Sequence, residues 1–399
     1  MRLEWIDGIP EDWQVAEAQF VLDYQKREVQ ENDEIVTAFR DGQVTLRSNR
    51  RTDGFTMADK EVGYQHICEG DLVVHSMDGG FGAIGVSDSC GKASPVVHAY
   101  TSNSCDLRFI SYQLRSAVNA GWIAALAKGI RVRSTQFDRP ALAGLKIAYP
   151  SQATQRRIAD YLDRETAEID AAVADLDKYV ELLEKRRTLR LIEETRIRSS
   201  ARMTTIGRHA QVSLGKTLQP EQKSHDEQLV NYVRAGNIQP NGVFDGEAKQ
   251  MWMTPDEQSA YSLLPGDVLV VEGGAGFGRS LTLNLGLQGW GFQNHVIRIR
   301  PQSGWIGKFI DYSIRAHKTD GLIALLAVGA TIPGFSADKA RNLPIAFLTE
   351  REQSLVVQTL DKDMDELDSL IADSTRLRDL LLKRRSVLIT EVVTGRKQV

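Results

Sequence analysis

Three groups of residues carry side chains suited to chemistry. Cys68, Cys90 and Cys105 lie in the same stretch as His66, His75 and His98, the residue types that ligate a metal. No C-x-x-C and no H-x3-H spacing accompanies them, so no metal site is expected. Leu214-Gly215-Lys216-Thr217 has the tail of a phosphate-binding loop but lacks the earlier glycine of G-x-x-x-x-G-K-[ST]. The run GGAGFG at 273–278 would suit a dinucleotide only with a long helix after it and an acid about 20 residues on. Without these a tight turn is expected. The amino-methyltransferase signature, Asn or Asp followed by Pro-Pro and an aromatic, is absent. The chain therefore lacks the residues for methyl transfer or ATP hydrolysis and is expected not to be an enzyme.

The remaining polar clusters bind rather than react. They must act against an unhelpful background, because the 399 residues carry a net charge of −4. Residues 1–150 hold 16 basic and 20 acidic side chains, 151–202 hold 11 of each, 203–348 hold 13 and 12, and 349–399 hold 9 and 10. No segment is basic overall, and charge alone argues against a nucleic-acid partner. Any DNA contact must come from local clusters such as Arg47, Arg50 and Arg51, or Lys128, Arg131 and Arg133.

The composition, 42% apolar and 26% charged, is that of a globular chain with material for a core, and the length fits two to four domains. No run of about 18 apolar residues is present to span a membrane. The opening MRLEWIDGIPEDW is acidic and lacks an apolar core, so no signal peptide is read there. An odd number of cysteines in a long chain fits a reducing cytoplasm.

The elements that must position these clusters come in two copies. LKIAYPSQATQRRIADYLDRETAEID, from Leu145, aligns without a gap with LPIAFLTEREQSLVVQTLDKDMDELD, 198 residues later. Leu145, Ile147, Ala148, Gln155, Leu162, Asp163, Glu168 and Asp170 recur as Leu343, Ile345, Ala346, Gln353, Leu360, Asp361, Glu366 and Asp368. Lys185-Arg186-Arg187 recurs as Lys383-Arg384-Arg385. Upstream, Gly70-Asp71 and Gly266-Asp267 each precede an apolar run and a glycine-rich stretch, and Gly121-Trp122-Ile123-Ala124 resembles Gly321-Leu322-Ile323-Ala324. Between 152 and 198 there is no Gly or Pro. Ile169, Leu176 and Leu183 stand seven apart there, a coiled-coil seam. The second copy places Leu360, Met364, Leu367, Ile371, Leu377, Leu381 and Leu388 at similar steps. Ser151 and Thr349 are candidate N-caps, and Gly395 a stop. The regions before the helices alternate in short apolar pieces, as in VNYVRAGNI, DVLVVEGG and NHVIRIRP, and read as mixed α and β.

The expected fold is α+β, a pseudo-twofold tandem repeat. Two mixed α/β domains, 1–150 and 203–348, alternate with two long helices, 151–202 and 349–399, packed as an antiparallel coiled coil. A helix of about 40 residues is about 60 Å long, more than the roughly 34 Å of one DNA turn. Two readers on such a spacer could reach successive major grooves. A coiled-coil scaffold without nucleic acid fits the same pattern.

The chain resembles, over nearly its whole length, the specificity subunit of type I restriction–modification systems. The resemblance is carried by Ile9-Pro10-Glu11-Asp12-Trp13, Tyr232-Val233-Arg234-Ala235-Gly236-Asn237-Ile238 and the two Gly-Asp pairs. It is strongest in the block from Gln155 through Tyr161-Leu162-Asp163, Glu168-Ile169-Asp170 and Leu182-Leu183 to Lys185-Arg186-Arg187, and in Val393-Thr394-Gly395. It implies a non-catalytic subunit whose two target-recognition domains each read half of a bipartite, asymmetric site in double-stranded DNA, with about 5–8 base pairs between the halves. It also implies two adenine-N6 methyltransferase subunits docked on the helices and, through them, motor-nuclease restriction subunits. No cofactor is implied for this chain. S-adenosylmethionine would belong to the methyltransferases, which flip the target base, and ATP and Mg to the restriction subunit. Arg and Lys suit guanine, and Asn and Gln suit adenine. The expected readers are therefore Arg47, Asn49, Arg50, Arg51, Lys128, Arg131 and Arg133 in the first domain. In the second they are Lys216, Arg234, Asn237, Arg279, Gln293, Asn294 and His295. Arg156, Arg157, Lys185, Arg186, Arg187, Lys383, Arg384 and Arg385 are the expected partner contacts. Near-neutral charge then means that the partners supply many of the phosphate contacts.

Overall fold

The computed structural model describes residues 8–50, 62–123, 137–195, 202–327 and 334–399. They form two compact units: Met1–Asp177 with Arg376–Val399, and Lys178–Thr375. Each unit contains one mixed α/β domain and a part of both long helices, Gln152–Glu194 and Glu350–Val393. The helix segments are part of the domain cores. Ile158, Leu162 and Ile169 share a cluster with Phe109, Ile110 and Leu388 in the first unit. Leu183 and Leu191 do the same with Phe309, Tyr312 and Leu360 in the second.

The helices run antiparallel in each unit. Asp170 pairs with Arg385 at 2.8 Å and Asp177 with Arg378 at 3.2 Å, one number rising as the other falls. In the second unit Arg190 meets Asp363 at 2.6 Å and Arg187 meets Asp368 at 3.5 Å. The recurring Asp and Arg therefore pair across copies: Asp170 of the first with Arg385 of the second, and Asp368 of the second with Arg187 of the first. Ser151 Oγ accepts the Thr154 N–H at the first helix start. Thr349 and Glu352 form a reciprocal capping box at the second. Gly395, at φ 74°, ends the second helix. The seam is incomplete: Leu377 is about half exposed, as are Leu182, Leu189, Leu355 and Leu380.

Each mixed α/β domain is built on the same antiparallel four-stranded sheet. In the first the order is Asp23–Gln25, Val97–Thr101, Leu72–His75, Ile84–Val86. In the second it is Ala210–Leu214, Val296–Pro301, Val268–Val271, Ser280–Thr282. The register repeats as well: Leu72 faces Val86 and Val268 faces Thr282. One helix, Leu107–Asn119 or Gly307–Thr319, packs its apolar face on each sheet. A two-stranded ribbon joins each domain to its helix: Gln14–Glu17 with Lys146–Tyr149, and Met203–Thr205 with Pro344–Ala346. Around this shared frame the inserts differ. The first unit adds two small two-stranded sheets, only one of them a hairpin, and the second adds a three-stranded sheet centred on Gln228–Val233. Among the described residues, no helix is long and apolar enough to cross a membrane.

The recurring polar residues do matching structural work. Buried Gln155 accepts the Asp106 N–H at 2.8 Å and donates to the Pro150 carbonyl at 2.9 Å. Gln353 accepts the Ile306 N–H at 2.9 Å and donates to the Leu348 carbonyl at 2.9 Å. Tyr112 donates its hydroxyl proton to Asp163 at 2.8 Å, and Tyr312 does so to Asp361. Burial pushes the Tyr112 hydroxyl up to about 12. Asp71 and Asp267 are buried, each taking a backbone N–H three residues upstream, and each paired with an arginine, Arg27 or Arg300. The glycines before them, Gly70 and Gly266, take φ 86° and 84°.

The histidines and cysteines fall into separate contacts. His66 pairs with Asp33 at 2.8 Å. His75 Nδ1 accepts the N–H groups of Met77 and Asp78, and burial lowers its pKa. All three cysteines are free. The GGAGFG run is a turn between antiparallel strands, as its sequence suggested. Gly215 and Lys216 lie against Phe292 and Gln293 in a bridge between chain segments.

Candidate nucleic-acid interface

In the second unit most of the expected readers come together. Lys216 bridges Gln293, the Asn294 N–H donates to the Lys216 carbonyl at 2.9 Å, and the Gln293 N–H donates to the Val233 carbonyl at 2.9 Å. The segment 293–295 therefore lies beside the loop that begins at Arg234. Their exposure separates them. Asn237 is fully buried; its carbonyl caps the Arg234 N–H at 2.9 Å and its amide donates to the carbonyls of Asp245 and Glu247. Lys216 is buried and ion-paired with Glu257. Asn237 therefore closes the 234–247 loop from within, and the Lys216 backbone holds the 293–295 segment. Gln293 and Asn294 are partly exposed and His295 is exposed, 3.5 Å from Glu272. Arg234 is partly exposed and bound to Glu247. Arg279 is not in this group. It lies with Arg315 and Lys318 on a separate cavity wall.

In the first unit Arg47–Asn49 is a single 3-10 turn. Arg47 donates to Thr37 at 3.3 Å, and Asn49 donates to Thr45 at 2.9 Å while staying exposed. Arg50 pairs with Asp41 at 2.7 Å and lies 4.2 Å above the Phe39 ring. Arg51, Lys128, Arg131 and Arg133 lie outside the described residues.

Sequence reasoning missed a feature built twice. A hairpin turn runs through Arg40-Asp41-Gly42-Gln43 in one domain and Pro240-Asn241-Gly242-Val243 in the other. Gly42 and Gly242 take φ 92° and 76°, which favours glycine. Beneath them lie Arg115 and Arg315 from the sheet-packed helices, so close that an added Cβ would overlap the guanidinium. Arg115 donates to the Asp41 carbonyl, and Arg315 to that of Asn241 at 3.4 Å. Burial lowers the Arg115 pKa, and nearby Arg385 lowers it further. Burial also opposes the charge on Arg315, but Asp311 at 2.8 Å more than offsets it. The available signal was the Asp-Gly and Asn-Gly dipeptides.

The helix cations divide. Arg156, Arg157, Lys185, Arg186, Lys383 and Arg384 are exposed. Arg187 and Arg385 turn inward to Asp368 and Asp170. The outward residues stand on the same helices as the half-exposed leucines.

No protein-family model matches the sequence, and no curated protein matches it. Solved structures do. One chain, from a structure of a type I R-M system described for its complex assembly and conformational transition, superposes with TM-score 0.72 at 12% identity, covering 97% of this chain and 99% of that one. The HsdS subunit from Thermoanaerobacter tengcongensis superposes with TM-score 0.57 at 14% identity, covering 98% of each chain. The two-domain, two-helix architecture of this chain is the fold of type I restriction–modification specificity subunits.

Proposed function

We propose that this chain is the DNA-specificity subunit of a type I restriction–modification complex. Each recognition domain reads one half of a bipartite, asymmetric site. The helices set the spacer, dock two adenine-N6 methyltransferase subunits and, through them, hold the restriction subunits. The chain itself performs no chemistry. The observation that carries this reading is the end-to-end fold match, supported by two frames of one design bearing unlike inserts. Two readers of different bases on one scaffold need that arrangement.

Base contacts are assigned to the accessible side chains Arg47, Asn49 and Arg50 in the first domain and Arg234, Gln293, Asn294 and His295 in the second, and, on residue type alone, to Arg51, Lys128, Arg131 and Arg133, which lie outside the described residues. Asn237 holds the 234–247 loop in shape, and buried Lys216 is engaged by Glu257. Methyltransferase docking is assigned to the exposed helix cations together with Leu182, Leu189, Leu355 and Leu380. A half-exposed apolar row flanked by charge is what a partner helix can cover.

The test is an in vitro one. The full chain, its partner methyltransferase and radiolabelled S-adenosylmethionine are incubated with a random-sequence duplex library. Labelled fragments should share one split adenine motif, and omission of the chain should abolish labelling. Labelling that ignores the chain would defeat the reading.

A further inference from the structure

The duplication supplies an internal control for each side chain. Each unit has a cavity at the junction of recognition domain and long helices. The first, about 590 Å³, is walled by Asp41, Gly42, Arg115, Asp170 and Arg385 among others. The second, about 570 Å³, is walled by Arg315 and Arg187 at the corresponding places and by Pro240 of the matching turn. The shared arginines are held in place: Arg385 by Asp170, Arg187 by Asp368, Arg115 by the Asp41 carbonyl and Arg315 by Asp311.

The second cavity has two additional cations, Arg279 and Lys318. The strand register sets Arg279 against Ala83: His75 N–H donates to the Ala83 carbonyl, and Val271 N–H to the Arg279 carbonyl. The two sheet-packed helices, each ending two residues before a glycine of positive φ, set Lys318 against Val118. The first unit builds the same frame with an alanine and a valine at these positions, so the frame does not require the charges. Among the described residues neither cation has a hydrogen-bond or ion-pair partner. Partial desolvation of the Lys318 ammonium at the cavity wall, and the neighbouring Arg279 charge, hold it down at about 8 even though the residue stays exposed overall. Two unpartnered like charges facing one cavity are unfavourable unless an anion joins them. The adjoining turn permits close approach: Gly274, at φ 78°, has open space where a Cβ would stand.

We propose that Arg279 and Lys318 form a binding site for a phosphodiester of the duplex backbone, on the second unit only. This rests on the DNA-reading function above and reassigns Arg279 from base reading to phosphate anchoring.

The test compares the full chain with Arg279→Ala/Lys318→Val, which carries the residues of the first unit. Binding to a random-sequence duplex is measured from low to moderate salt, and circular dichroism confirms the fold. Two lost phosphate contacts should lower the slope of log affinity against log salt by about 1.8. In parallel, acylation of Lys318 near pH 8 is followed by peptide mass spectrometry. Duplex should protect it, and millimolar inorganic phosphate should not. An unchanged slope in a variant that still folds overturns the site and leaves the DNA-reading function standing. Equal protection by inorganic phosphate marks a small-anion site and overturns the duplex contact. Failure of the wild-type chain to bind any duplex, with its methyltransferase present, overturns both.

Discussion

Gln155→Ala should loosen the first unit and leave the second alone, and Gln353→Ala should do the reverse. Gln155 is fully buried, satisfying the Asp106 N–H and the Pro150 carbonyl at 2.8 and 2.9 Å. Alanine leaves both groups without a partner. Each unsatisfied buried group costs about 1–3 kcal/mol, so about 3 kcal/mol is expected after partial rehydration of the less buried Asp106 end. Gln353 satisfies Ile306, Leu348 and, at 3.2 Å, Gly304, and its loss should cost at least as much. The assay is hydrogen exchange by mass spectrometry on the full chain. A loss of about 3 kcal/mol corresponds to exchange over 100-fold faster wherever opening passes through that junction. The acceleration should fall on helix Leu107–Asn119 for Gln155→Ala and on Gly307–Thr319 for Gln353→Ala. A change below threefold, or one spread equally over both units, would refute the argument that each glutamine ties its own domain to its helix.

Gly42→Ala and Gly242→Ala should each cost about 1–2 kcal/mol for the left-handed backbone alone, with more from the displaced arginine, read as a lower melting temperature and weaker binding to one half-site. Arg385→Asp should weaken the helix pairing by about 1 kcal/mol, since the Asp170 partner is half exposed, and Asp170→Arg added to it should restore stability in a double-mutant cycle. Lys318 loses its proton near pH 8, whereas an unperturbed lysine keeps its own to above pH 10. Duplex affinity and its salt slope should therefore fall between pH 7 and 9 in the wild-type chain, and Lys318→Val should remove that step.

The helices and their pairing were legible because their residues recur at one constant offset. Gln155, Asp163, Asp170 and Arg187 recur 198 residues on, and each proves to hold a junction or a cross-helix pair. Upstream, the matching strands stand 196 apart and the sheet-packed helices 200 apart. Those small insertions hid the Arg115 and Arg315 clamps, whose glycine turns are separated by 200 as well. Residue type could not distinguish Asn237, which closes its own loop, from Asn294, which stays partly exposed, because that depends on which carbonyls the fold brings near. Leu377 fits the helical spacing yet stays half exposed, because spacing selects a face but not its partner.

The most direct test of the specificity function is base-resolution adenine methylation in the source cell with the gene intact, deleted, and carrying a foreign recognition domain over residues 203–348. The account predicts a split, asymmetric motif, methylated on both strands, that vanishes on deletion and changes in one half only on exchange. A methylation pattern unaltered by deletion, in a cell whose partner methyltransferase is active, would contradict it.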